Sequence, residues 1–111
     1  MIRIEEYSSD LREFIVMHEE HEISKELKAS VAKDPAYLDA IPNLYEAWAD
    51  AWLTWFVFPN GRKISVMWMP KGFDMMSDPA FEVFSPKDSE VLARVATIRE
   101  VEQILRKEAR L

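Results

Sequence analysis

The run His-Glu-Glu-His-Glu at residues 18 to 22 is the stretch whose residue types and spacing most invite metal chemistry. If the run is helical, His18 and His21 share a face, and Glu22, one turn from His18, offers a third ligand for a divalent cation. The metalloprotease pattern needs two histidines four apart with Glu beside the first, and here the spacing is one residue short. No other histidine is present, so a complete site would draw two carboxylates from elsewhere. A solvated acidic face produces such near-matches cheaply. The run is therefore expected to hold no metal, and a small metal-dependent enzyme using His18, His21 and Glu22 stands as the alternative.

Other chemistries lack their parts. Phosphate and dinucleotide loops need several glycines for close backbone approach, and the chain has only Gly61 and Gly72. No serine lies in a nucleophile elbow. The absence of cysteine excludes disulfides, thiolate catalysis and sulfur-built zinc sites. Twenty acidic residues offer many carboxylate pairs, but nothing in the sequence assembles one with a nucleophile and an orienting group. The expectation is a protein without catalytic residues or cofactor.

The densest apolar segment is WLTWFVFPNGRKISVMWMP, residues 52 to 70, with three of the four tryptophans and two of the six methionines. Pro59, Asn60 and Gly61 have the chemistry of a type I turn closed by a glycine bulge. That turn pairs residues whose numbers sum to 120. One side of the ribbon then carries Trp52, Thr54, Phe56, Ile64, Val66 and Trp68, an evident core face. The other carries Leu53, Trp55 and Val57 against Met67, Ser65 and Lys63, with Met69 beyond. This second side is either a further core layer under the N-terminal helices or a docking surface, because Trp and Met are favoured at the buried centres of interfaces. Phe73, Met75 and Met76 in the following loop would extend it.

The flanking segments suggest the elements that position this ribbon. Ile2 and Ile4 alternate with polar residues as in a short strand. Leu11, Phe14, Ile15 and His18 follow a helical period after Ser9 or Asp10, with Asp10 and Glu13 in capping-box spacing, and a strand through 13–17 competes. Ile23, Leu27 and Val31 form a second apolar row nearly opposite the first, so a break is expected between Glu20 and Ser24. Asp34 and Pro35 start a turn, and Pro42 opens a helix with Leu44, Tyr45 and Trp48 on one face. AFEVF and EVLARVA, joined by SPKDS, read as a second hairpin. Thr97 and Glu100 form a capping box for a final helix presenting Ile98, Val101, Ile104 and Leu105, with Arg106, Lys107 and Arg110 at its end. The whole is a single α+β domain over residues 1–111: N-terminal helices, an antiparallel sheet of about four strands built from two hairpins, and a C-terminal helix packed on the sheet.

Charge narrows the partner. Residues 1–50 hold twelve acids against five bases, a net of −7, while residues 51–111 hold eight against nine, a net of +1. That balance argues against direct nucleic-acid binding, which requires clustered cations, and permits attraction to a basic protein surface. The longest uncharged stretch, which contains Pro59, is about half the ~20 residues a membrane helix requires, and no leader pattern opens the chain, so a cytoplasmic protein is expected. Size and charge resemble those of small acidic inhibitors and immunity proteins, including ones that phages use against host defences. The expected function is a non-enzymatic protein-binding module that occludes a basic surface of its partner through Leu53, Trp55, Met67 and Met69, with Glu19, Glu20 and Glu22 steering the approach. An obligate homodimer of structural role, burying the apolar patch against itself, is the third reading.

Overall fold

The computed structural model describes residues 2–72 and 78–110; Phe73, Met75 and Met76 lie outside that range. The chain opens with a 3-10 turn at Ile4–Glu6, a single helical turn α1 (Ser9–Arg12) and strand β1 (Ile15–Glu20). Helices α2 (Glu22–Lys33), α3 (Tyr37–Ala40) and α4 (Pro42–Trp48) follow. Then come β2 (Trp52–Val57), β3 (Lys63–Met69), β4 (Ala80–Ser85), β5 (Glu90–Val95) and α5 (Ile98–Ala109). The strands form one antiparallel sheet in the order β1-β2-β3-β4-β5. The architecture is α+β as expected, with one strand more.

That extra strand is β1, where the helical reading fails. Residues 15–20 pair with β2, with Ile15 opposite Phe56 and His18 opposite Thr54. The register shifts between Ile15 and Met17, leaving Val16 as an extra residue that is 62% exposed. A bulge of this kind resets the alternation of faces. Ile15 and His18 therefore face the same side although they are three apart, a spacing that imitates a helix. The capping box fails with it: α1 has no side-chain cap, and Asp10 instead forms a two-pronged ion pair with Arg106 of α5. Nor do residues 2–6 form a strand. Ile2 is buried and Ile4 exposed, and the Arg3 amide donates to the Glu6 carboxylate at 2.7 Å to close the 3-10 turn.

Helices α2–α4 are an excursion at the β1–β2 connection. The chain leaves the sheet at His21 and returns at Ala51, and the His21 amide donates to the Ala51 carbonyl at 2.7 Å, which carries the ladder one step past both strands. The break predicted between Glu20 and Ser24 lies here, with His21 as the cap of α2: its Nδ1 accepts from the Ile23 amide at 3.1 Å. Asp34 ends α2 and also opens the turn expected at Asp34 and Pro35: its carboxylate accepts from the Ala36 amide at 3.2 Å and its carbonyl from the Tyr37 amide at 2.9 Å. Pro42 stands in the first turn of α4, where its missing N–H costs no helical bond.

The main core lies between one face of the sheet and α5. Phe56, Ile64, Val66, Phe81 and Val83 meet Val101, Leu105 and Ala109, which recur every four residues along α5. Ile2, Tyr7 and Leu11 from the N-terminal segment complete the cluster, with the Tyr7 ring edge-on to Phe56 at 5.2 Å. α5 begins as predicted: Thr97 Oγ1 accepts from the Glu100 amide at 3.2 Å.

Candidate functional site

The ribbon has the register that the turn residues predict, with Trp52 opposite Trp68, Leu53 opposite Met67, Trp55 opposite Ser65 and Val57 opposite Lys63. Gly61 takes φ 84°, the Gly61 amide donates to the Phe58 carbonyl at 2.9 Å, and the Phe58 amide donates to Arg62 at 2.9 Å. This is a turn that closes on a left-handed residue, where glycine has no Cβ to clash.

Following that register across the other strands builds the second face of the sheet. One row runs through all five: Met17, Trp55, Ser65, Phe84 and Val91. The next row, toward α2, is Glu19, Leu53, Met67, Glu82 and Arg94. Val57 and Lys63 lie on the other side of the first row. The apolar members are half-buried or exposed, Val57 at 39% and Val91 at 42%, whereas Phe56, Ile64 and Val83 on the opposite face are wholly buried. The asymmetry has a direct cause: α5 seals the core face, while α2–α4 pack on one another at the end of the sheet where β1 stops and β2 starts.

Charged residues frame the apolar rows. Lys63 Nζ sits 4.8 Å from the Trp55 ring centre, a cation–π contact that covers part of the indole. Arg94 Nε donates to Glu82 Oε2 at 2.9 Å. Glu19 stands at the β1 margin beside Leu53, with Lys25 at 3.6 Å and its carboxylate half exposed.

The residues singled out from the sequence divide into those the fold brings together and those it does not. Leu53, Trp55, Met67 and Glu19 share the second face. Met69, expected with them, is buried at 2%, so it anchors the sheet end rather than a partner. Glu20 turns to the opposite side. Its carboxylate lies 2.8 Å from Lys28 Nζ and 2.5 Å from Ser24 Oγ, and Lys28 first, then Ser24, hold it below the usual glutamate range. The Ser24 hydroxyl stands between Glu20 and the Ala49 carbonyl with one proton to give, tying α2 to the return of the chain. Glu22, in the first turn of α2, is exposed.

The metal reading loses its geometric premise. His18 lies on a strand, His21 caps a helix, and the two no longer share a helical face. Both His18 nitrogens are occupied, Nδ1 by Thr54 Oγ1 at 2.8 Å and Nε2 by the Ile2 carbonyl at 2.9 Å. His21 uses Nδ1 to cap α2 and packs edge-on to Trp48 at 5.5 Å. Among the described residues no group of three His, Asp or Glu side chains is placed to hold a metal ion.

Phe84, Met17 and Val91 were not singled out from the sequence, because their membership depends on pairings between strands distant in the chain. Alternation within AFEVF places Phe84 with Glu82 opposite Phe81 and Val83, but not beside Ser65. No family model matches this chain, and no curated protein or solved structure matches it.

Proposed function

We propose that the protein is a non-enzymatic binding module that docks the second face of its sheet onto a protein partner with a basic surface. The observation that supports this is the row Met17–Trp55–Ser65–Phe84–Val91, flanked by Leu53 and Met67, in which Ser65 is buried while the apolar members are half-buried or exposed, on a sheet whose other face is sealed by α5. Trp and Met serve as anchors at the centre of such a face, and a charged rim supplies orientation.

Two further features favour the face and the partner's sign. Each edge strand carries a register irregularity, at Val16 in β1 and around Leu92 in β5, and bulged edges discourage strand addition. The edges are thus poor templates, and the face is the surface on offer. The net charge of −6, concentrated in residues 1–50, attracts a basic partner and opposes a second copy of the same chain. Glu19 borders the apolar rows and Glu22 follows at the start of α2, which sets the acidic side of the approach. Such a module acts by occlusion, as small acidic inhibitors do, and is proposed to work in the cytosol. No described helix is long and apolar enough to cross a membrane.

The test uses the intact protein and a Trp55→Glu variant, checked by circular dichroism, in affinity capture at low and high salt followed by binary reconstitution. The reading predicts a basic protein that binds directly, weakens as salt rises and is lost, by about a hundredfold or more in affinity, in the variant. A partner retained by Trp55→Glu overturns it. Sedimentation across concentrations addresses the homodimer: a wild-type dimer that Trp55→Glu converts to monomer would assign the face to self-association instead.

A further inference from the structure

At the end of the sheet away from α2–α4, three segments distant in sequence converge: the β2–β3 turn, the β4–β5 turn and the last turn of α5. Asn60 Nδ2 donates to the Glu108 carbonyl at 2.9 Å, and Arg62 reaches Asp88 at 3.2 Å and Glu108 at 2.6 Å. Between them lies a cleft of about 510 Å³ lined by Asn60, Arg62, Lys87, Lys107, Glu108 and Arg110. Four cations thus share one cleft in a chain whose net charge is −6.

The pairing inside the cleft is uneven. Arg62 is matched by two carboxylates, Asp88 and Glu108. Lys87, Lys107 and Arg110 form no ion pair with a carboxylate of the described residues. The C-terminus of α5 supplies a partial negative charge, which offsets a fraction of one cation. Gathering like charges from separate segments raises the local potential, and a multivalent anion is the counter-charge the arrangement lacks.

We propose that this cleft binds a small multivalent anion of the di- or triphosphate class, with Lys87, Lys107 and Arg110 meeting its charge and Arg62 fixing the wall behind them. The volume lies in the range of small-molecule sites, above what a single inorganic phosphate fills. Among the described residues Lys107 and Arg110 form no ion pair and Lys87 only lies in the field of Asp88, so the group matches a multivalent anion better than a single carboxylate. A long polynucleotide is disfavoured because the rest of the surface, with its excess of acids, repels an extended polyanion. The site stands on a different end of the sheet from the proposed docking face and does not depend on it.

The test is titration of the full chain with tripolyphosphate at low salt, read by calorimetry and by amide shifts in NMR. Saturable binding with shifts at Asn60, Lys87 and Lys107–Arg110 is expected. A Lys87→Glu/Lys107→Glu double variant should bind at least about tenfold more weakly, and Lys107→Gln alone several-fold more weakly, while Lys33→Glu on α2 should bind like the wild type. The proposal is overturned if millimolar tripolyphosphate shifts none of these amides, if Lys33→Glu loses binding equally, or if a single-stranded oligonucleotide of the same charge binds the same residues more tightly.

Discussion

His18 shows how a residue of catalytic type becomes structural. The Ile2 carbonyl can only accept, so Nε2 donates to it, while Nδ1 meets the Thr54 hydroxyl. The ring also lies against Trp52 at 5.1 Å, which leaves no nitrogen for a metal or substrate. Its work is to hold the N-terminal segment on the sheet. Thr54 is 1% exposed, so Thr54→Val keeps the shape but leaves Nδ1 without its hydrogen-bond partner. The expected loss is about 1–3 kcal/mol in urea unfolding, and an unchanged midpoint would show that the hydroxyl contributes nothing to the segment's anchoring.

Among the elements, the β2–β3 hairpin and β1 make opposite cases. The hairpin is determined by residues adjacent in sequence, and Gly61 is its decisive position. A Cβ built there meets nothing within 4 Å, yet φ is 84°, so Gly61→Ala incurs backbone strain alone. A loss of about 1–2 kcal/mol is expected, readable by chemical denaturation with the m-value unchanged; no loss at all would mean that the turn does not depend on the left-handed residue. For β1 the local pattern misleads. The bulge at Val16 brings Ile15 and His18 onto one side at helical spacing, and only pairing with β2 reveals the strand. The same hairpin register that was legible in advance then orders the docking face, because Trp55 and Met67 mark the rows on which Met17 and Phe84 fall.

Over the whole molecule, ion pairs link segments that the sequence keeps far apart. Asp10 is held below the usual carboxylate range by Arg106, Glu20 by Lys28 and Ser24, and Asp88 by Arg62 and Ser85. Each of the three therefore binds its proton less readily in the folded chain than in the unfolded one. The associated stability is fully present above the unfolded carboxylate range and is lost as pH falls from there, below about pH 4, through the lowered folded values. Each pair has at least one well-exposed member and is screened, so the melting temperature is expected to stay level between about pH 5 and 7 and to fall modestly toward about pH 3. A profile that rises on acidification would contradict this assignment of the three carboxylates. Salt should shrink the drop, and Asp10→Asn should remove part of it.

By itself the sequence determined whatever acts within a few residues: the turn at Pro59–Gly61 and hence the hairpin register, the Thr97 cap of α5, the break at His21, and the absence of thiol and glycine-loop chemistry. The tertiary structure alone decided that residues 15–20 form a strand, that α5 covers one sheet face while α2–α4 leave the other half-bare, that Met69 is buried and Glu20 turned away from the second face, and that four cations meet in one cleft. The physical reason is range. Turn dihedrals, caps and side-chain alternation are local energies, whereas burial and charge pairing belong to surfaces made by segments that meet only when the chain has folded.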